Sequence, residues 1–173
     1  MSKITLVRGY VPGAIGRVVE MHGRYYHRHW GFGQFFEAKV ATELSEFLTR
    51  YDAASDGFWT VQVDGRVEGS ISIDGRHAMT RGAHLRWFIV SDALRGRGAG
   101  SRLMDAAMDF CRDKGYRQIY LWTFAGLSAA RSLYEKAGFA LVEERSGTQW
   151  GVEVKEQRFE LTRSDKGRQV GFR

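Results

Sequence analysis

Between Arg86 and Ser101 the chain reads RWFIVSDALRGRGAGS: an apolar run, a short polar turn, and three alternating glycines that open an amphipathic stretch. These types at this spacing make an anion site. The first turn of a helix carries backbone N–H groups without partners inside the helix and the positive end of its dipole, and glycine lets an anion approach the backbone. Arg95 and Arg97 add positive charge to the turn. Spacing excludes two other phosphate loops. A dinucleotide fingerprint started at Gly96 needs glycine or alanine at 101, where Ser101 stands, and no Gly-Lys-Ser or Gly-Lys-Thr of a P-loop occurs anywhere in the chain.

A second concentration of reactive side chains is His22, Tyr25, Tyr26, His27 and His29. Two helical metal ligands need a spacing of four, yet the residue four after His22 is Tyr26 and the residue four before His29 is Tyr25. The expectation is therefore no metal. Cys111 lies on the apolar face of a helix with no adjacent histidine in sequence, which reads as core packing rather than a nucleophile.

Elements must hold these groups in place. Lys3 to Arg8 alternates as a short strand and leads to Pro12 in the first turn of a helix whose stripe is Ile15, Val18, Val19, His22 and Tyr26. Gly31 and Gly33 interrupt it, and Phe36, Val40, Leu44, Phe47 and Leu48 mark a second helix from Gln34 to Arg50. Gly57 to Val63 and Arg66 to Ile73 form a hairpin across Asp64-Gly65, the pair suited to a type I′ turn. His84 to Val90 is the next strand, followed by the glycine turn and a helix from Ser101 to Lys114 that Gly115 closes. Arg117 to Phe124 reads as a central strand and Leu127 to Ala137 as a helix ended by Gly138. Phe139 to Glu144 and Val154 to Leu161 complete the order β α α β β β α β α β β, one α/β domain with a mixed sheet. Trp87, Phe88, Tyr120, Trp122 and Phe124 fall on the central strands, where burial is the ordinary outcome.

Length and composition agree with that reading. The chain has 173 residues, 43% of them hydrophobic, enough for one buried core, and a single cysteine excludes an internal disulfide framework. No apolar run reaches membrane-spanning or secretory-signal length, so the expectation is a cytoplasmic protein with no membrane contact. Net charge is +6, but Arg163 to Arg173 hold four basic groups and one acid, so half the excess sits on an expected tail. Domain bounds are set at 1–162 and 163–173. Nucleic-acid binding lacks its usual confirmations, since no RNP aromatics, finger spacing or basic helical stripe occurs.

Arg95, Gly98 and Gly100 match Gln or Arg, two free positions, Gly, one free position, then Gly or Ala, and LYEKAGF follows at Leu133 to Phe139. In these two motifs the chain resembles the GNAT family of N-acetyltransferases, over about Leu85 to Leu161. The HG at His22 and FEA at Phe36 to Ala38 are similar to a bacterial subgroup related to MarR-GNAT fusion proteins. The resemblance implies a mixed sheet flanked by helices with two splayed central strands, and acetyl-CoA as cosubstrate with no metal. Coenzyme A would lie along Phe88, Ile89 and Val90, with its pyrophosphate on Arg95, Gly96, Arg97, Gly98, Ala99, Gly100 and Ser101. Arg97 is read either as a phosphate contact or as a solvated loop arginine. The family's asparagine seven residues before the tyrosine is Leu127 here, so Ser128 is the residue left to make that contact.

The implied activity is direct transfer of an acetyl group to a primary amine of a small molecule or peptide. The family's tyrosine maps onto Tyr134 as general acid for the thiolate, although Tyr134 also lies on the apolar stripe of its helix. His22, His84 and Glu37 are the proton acceptors on offer, unranked, and His22, Tyr26 and Trp122 would line the acceptor pocket. Two other readings stay open, a noncatalytic acyl-CoA-binding module and a basic nucleic-acid-binding protein. A homodimer is compatible with all three.

Overall fold

The computed structural model describes residues 2–164; residues 165–173, most of the expected basic tail, lie outside them. The elements are β1 (Ile4–Arg8), α1 (Ala14–Trp30), α2 (Gln34–Thr49), β2 (Gly57–Val63), β3 (Arg66–Asp74), β4 (Ala83–Val90), a 3₁₀ turn (Asp92–Leu94), α3 (Ala99–Asp113), β5 (Gln118–Phe124), α4 (Ser128–Ala137), β6 (Ala140–Gly147) and β7 (Val154–Thr162). This is the expected order. Most boundaries fall within one residue of expectation, and three larger differences have local reasons. Gly13, in left-handed backbone, is the N-cap of α1, so Pro12 stands in the turn before the helix rather than in its first turn. Gly98 is likewise the N-cap of α3, which starts at Ala99 rather than at Ser101. β6 runs on to Gly147 because Arg145, Ser146 and Gly147 pair with β7, polar residues on an exposed edge that hydropathy does not mark as strand.

The seven strands form one sheet in the order β1-β2-β3-β4-β5-β7-β6. The β2–β3 turn has Asp64 and Gly65 both at positive φ, +48° and +83°, the type I′ geometry that Asp-Gly favours. Helices α1 and α2 cover one face around Val18, Leu44, Phe47 and Phe58. Helices α3 and α4 cover the other around Ile71, Leu103, Ile119 and Phe159. Cys111 is buried in this second cluster. No helix among the described residues is long and apolar enough to cross a membrane.

Two irregularities at the sheet centre position everything that follows. β4 and β5 run parallel but pair only at Ala83 with Ile119 and His84 with Tyr120, so from Leu85 onward the strands separate. On its other side β4 carries a bulge. Ser70 pairs with Ile89 and Ser72 with Arg86, leaving Ile71 opposite both Trp87 and Phe88. The extra residue changes which face each later side chain takes. Leu85 packs with the α3 side, whereas Trp87 and Ile89 join the α1 and α2 side and Phe88 and Val90 turn to α3. Trp87 adopts φ +48°, and its carbonyl accepts a hydrogen bond from the buried Ser70 hydroxyl at 2.7 Å.

Candidate active site

The separation of β4 from β5 opens two cavities that share the walls Tyr26, Phe88, Leu127 and Tyr134. The larger, about 410 Å³, runs from Val90 past the glycine turn to the starts of α3 and α4. The Arg102 N–H donates to the Gly98 carbonyl as the first bond of the α3 ladder. The N–H groups of Ala99, Gly100 and Ser101 therefore precede the ladder, at the positive end of the helix. Ser128, Ala129 and Ala130 stand in the same position at the start of α4, where Arg131 N–H to Leu127 is the first bond. A Cβ built on Gly98 would meet nothing within 4 Å, and one on Gly100 would come within 2.9 Å of Leu133. Open space at Gly98 and two helix N-termini on one cavity fit a diphosphate.

Backbone direction at β4 adds a further donor. Ser91 N–H bonds the Glu68 carbonyl of β3 at 2.8 Å. Strand alternation then turns the peptide groups of Ile89 toward β3 and those of Val90 toward the gap left by β5. Arg95 is held in place, paired with Asp92 at 3.0 Å and lying over the Tyr25 ring of α1 at 5.4 Å. Arg97 is exposed on the turn and does not line the cavity.

The smaller cavity, about 270 Å³, lies under α1 and α2 at the mouth of the gap. Its wall brings together His22, Tyr26, His84, Trp122 and Tyr134 from the sequence reading. Glu37 is not brought there. It is exposed, one position around α2 from the inward Phe36, and its carboxylate lies across Gly23 of α1. His22 Nδ1 is 2.8 Å from the Val18 carbonyl, which can only accept, so Nδ1 is assigned the proton and Nε2 keeps the lone pair. Burial pushes the pKa of His22 down to about 4. His84 stacks on Tyr120 with ring centroids 4.4 Å apart. Burial, with Arg86 and Arg158 acting in the same direction, takes His84 down to about 3. Both imidazoles are neutral at pH 7.

Burial pushes the Tyr134 phenol well above its ordinary range, and Tyr26 moves the same way, with the nearby Tyr134 and Tyr25 phenols adding to the effect. Tyr134 makes ring contacts with Phe88, Phe139 and Phe159, but no hydrogen bond occupies its hydroxyl among the described residues.

Three features of this wall escaped the sequence reading. Glu43 ion-pairs with Arg86, and its other carboxylate oxygen takes Lys39 Nζ at 2.6 Å. Glu43 lies three residues after Val40 and seven after Phe36, a charge on the apolar stripe of α2, and that was its signal. Gln149 and Trp150 reach the cavity from the β6–β7 loop, with Trp150 against Phe124. That loop is tied down by Glu156, 2% exposed, whose carboxylate accepts the Gln149 N–H at 3.0 Å and faces Arg145 Nε at 3.3 Å. The bulge at Trp87 is the third.

The Acetyltransferase (GNAT) family model matches residues 18–139. N-acetyltransferase MJ1207 of Methanocaldococcus jannaschii, itself uncharacterized, is 26% identical over 121 residues, covering 66% of this chain and 53% of that protein. Uncharacterized N-acetyltransferase YjgM of Escherichia coli is 30% identical over 107 residues, covering 60% and 63%. The chain thus spans less than two thirds of either relative. Two solved structures share the fold. An acetyltransferase from Streptococcus agalactiae has TM-score 0.70 at 17% identity, covering 92% of this chain and 98% of that one. The yncA protein of Salmonella typhimurium, solved with its cofactor acetyl-CoA, has TM-score 0.72 at 15% identity, covering 94% and 95%. The glycine turn, the divided sheet and the family match agree, and the chain belongs to the GNAT family of acetyltransferases.

Proposed function

We propose that this chain transfers the acetyl group of acetyl-CoA to a primary amine held in the smaller cavity. The observation that carries the reading is the β4–β5 ladder ending at His84 and Tyr120, because it leaves strand backbone exposed beside two helix N-termini. The N–H groups of Ala99, Gly100 and Ser101 would hold the pyrophosphate, with Ser128 at the second helix start and Arg95 supplying charge nearby. Phe88, Ile89 and Val90 would bound the pantetheine arm, main chain against main chain at Val90. Acetyl-CoA supplies an activated acyl group as a thioester.

The Val90 N–H, turned into the gap, suits stabilisation of charge developing on the acyl oxygen. A neutral amine attacks directly: a carbon–nitrogen bond forms, the carbon–sulfur bond breaks, nitrogen gives up one proton and sulfur gains one. Tyr134 lines both cavities with a hydroxyl that makes no hydrogen bond among the described residues, which supports it as the donor to sulfur. Its raised pKa makes it a weaker acid, but the same burial raises the pKa of the departing thiol, so the two effects partly cancel. His22 and His84 both line the acceptor side. His22 Nε2 is the better proton acceptor of the two on geometry, since its tautomer is fixed by Val18.

The test is acetyl-CoA binding followed by turnover. Saturating acetyl-CoA should raise the melting temperature by mass action, and addition of a reactive amine should release free thiol. No thermal shift at saturation overturns the reading, and a shift without thiol release over a broad amine panel reduces it to a binding module.

A further inference from the structure

We propose that the acceptor is a small α-amino acid with an apolar side chain, whose carboxylate is taken by Arg86 and Lys39. This inference rests on the transferase reading above and specifies its substrate class.

The charge of the cavity wall is the first ground. Lys39, Glu43 and Arg86 are its formally charged side chains, and one carboxylate is shared between two cations. The next carboxylate, Asp74, is already paired with Arg50. His22 and His84 contribute no charge at neutral pH. The wall is left with one positive charge in excess. Donors are also in excess, because Arg86 spends one hydrogen bond of its five N–H groups on Glu43 and Lys39 one of its three. Arg86 is otherwise braced over the Trp87 ring at 4.1 Å, which fixes where its guanidinium plane lies.

That charge selects among amines. An amine without an acid group reaches the site as a cation and is repelled, and its reactive form is neutral and gains nothing from the excess charge. An amino acid whose ammonium has lost its proton to solvent is an anion, with a neutral amino group and an ionised carboxylate, and its single negative charge matches the wall. The same positive potential favours loss of that ammonium proton, so no strongly basic side chain is needed. Attack then forms the amide, releases the second nitrogen proton to solvent through the acceptor side, and leaves coenzyme A with a proton from Tyr134, which regains one from solvent.

Size and lining point the same way. About 270 Å³ suits a molecule of amino-acid dimensions, below the usual range of drug-sized pockets. Away from the charged residues Phe36, Trp87, Trp122 and Trp150 supply an aromatic surface for the side chain, with His22, His84, Thr123 and Gln149 as polar groups beside it.

The experiment measures thiol release from acetyl-CoA with pairs that differ only by the carboxylate: phenylalanine and phenethylamine, leucine and isoamylamine, methionine and 3-(methylthio)propylamine. The amino acid of at least one pair should have a kcat/KM about tenfold or more above its decarboxylated partner. The ratio should collapse in Lys39→Met and in Arg86→Gln with the dissociation constant for acetyl-CoA unchanged; Lys39 is partly exposed, so that variant reports even if Arg86→Gln folds poorly. Equal or inverted ratios, a ratio unmoved in Lys39→Met, or turnover of no pair while acetyl-CoA binds would each overturn the assignment. Failure of acetyl-CoA to bind at all is a separate result, and it removes the transferase reading itself.

Discussion

His84 on β4 and Tyr120 on β5 form the last rung of the parallel ladder, and their rings stack at 4.4 Å with planes 15° apart. The stack closes one end of the gap. Beyond it the bulge at Trp87 turns Phe88 and Val90 toward α3, which gives the larger cavity its strand wall and leaves Trp87 to the acceptor side. The end of the ladder and the bulge together shape both cavities.

The glycine turn can be tested with a strain control. Gly98 and Gly65 both have positive φ, +75° and +83°, and a Cβ on either meets nothing within 4 Å. Alanine at either position should cost about 1 kcal/mol of stability. Only Gly98→Ala places a methyl group in the proposed diphosphate site, so only that variant should weaken acetyl-CoA binding, by roughly tenfold, in calorimetric titration. Equal affinity for both variants would remove Gly98 from the cradle.

Tyr134→Phe deletes a hydroxyl with no hydrogen-bond partner among the described residues, so stability should change by less than about 0.5 kcal/mol. If that hydroxyl protonates the leaving thiolate, kcat should fall about 100-fold while the acetyl-CoA dissociation constant stays within about twofold. An unchanged kcat would return Tyr134 to a purely packing role.

Stability should fall with acid in a defined window. His22 in the folded chain is held down to about 4 by burial, against an ordinary value of 6.5. Unfolded chains therefore bind this proton first as pH drops, and folding is opposed. The contribution is complete above pH 6.5 and is lost progressively toward pH 4, about 3 kcal/mol in all. Urea unfolding at pH 7, 5.5 and 4.5 should show the decline, and His22→Gln should make it shallower without abolishing it, because His84, held down to about 3, acts in the same window.

Ser70→Ala tests the bulge. The buried Ser70 hydroxyl satisfies the Trp87 carbonyl at 2.7 Å where the chain takes positive φ. Leaving that carbonyl unpaired should cost about 2 kcal/mol in urea unfolding and lower kcat/KM for acetyl-CoA, because Phe88 and Val90 depend on the same kink. A loss under about 0.5 kcal/mol would mean the bulge is held by other contacts.

What the sequence made legible was mostly local. Asp64-Gly65, the Arg95–Gly98–Gly100 spacing and the apolar stripes of four helices act within a few residues, and all could be read directly. The gap between β4 and β5 came through resemblance rather than periodicity. The bulge left no trace, because the unusual φ of Trp87 follows from the register with β3 and not from tryptophan's own preference. Glu37 illustrates the opposite limit: its helix was readable, but its position one step from Phe36 turns it toward Gly23 and away from the cavity. Glu43 and Arg86 stand 43 residues apart, so their pairing needed the fold. The Trp150 loop likewise depends on Glu156, a buried carboxylate within an otherwise strand-like run.

Hydrogen exchange at two neighbouring amides tests the central claim most directly. Ile89 is paired with Ser70 of β3, while the Val90 amide faces the gap. With saturating acetyl-CoA, exchange at Val90 should slow by roughly tenfold or more while Ile89 stays as it was. A Val90 amide that exchanges equally fast with and without ligand, under conditions where a thermal shift proves binding, would contradict an acyl donor seated between the parted strands.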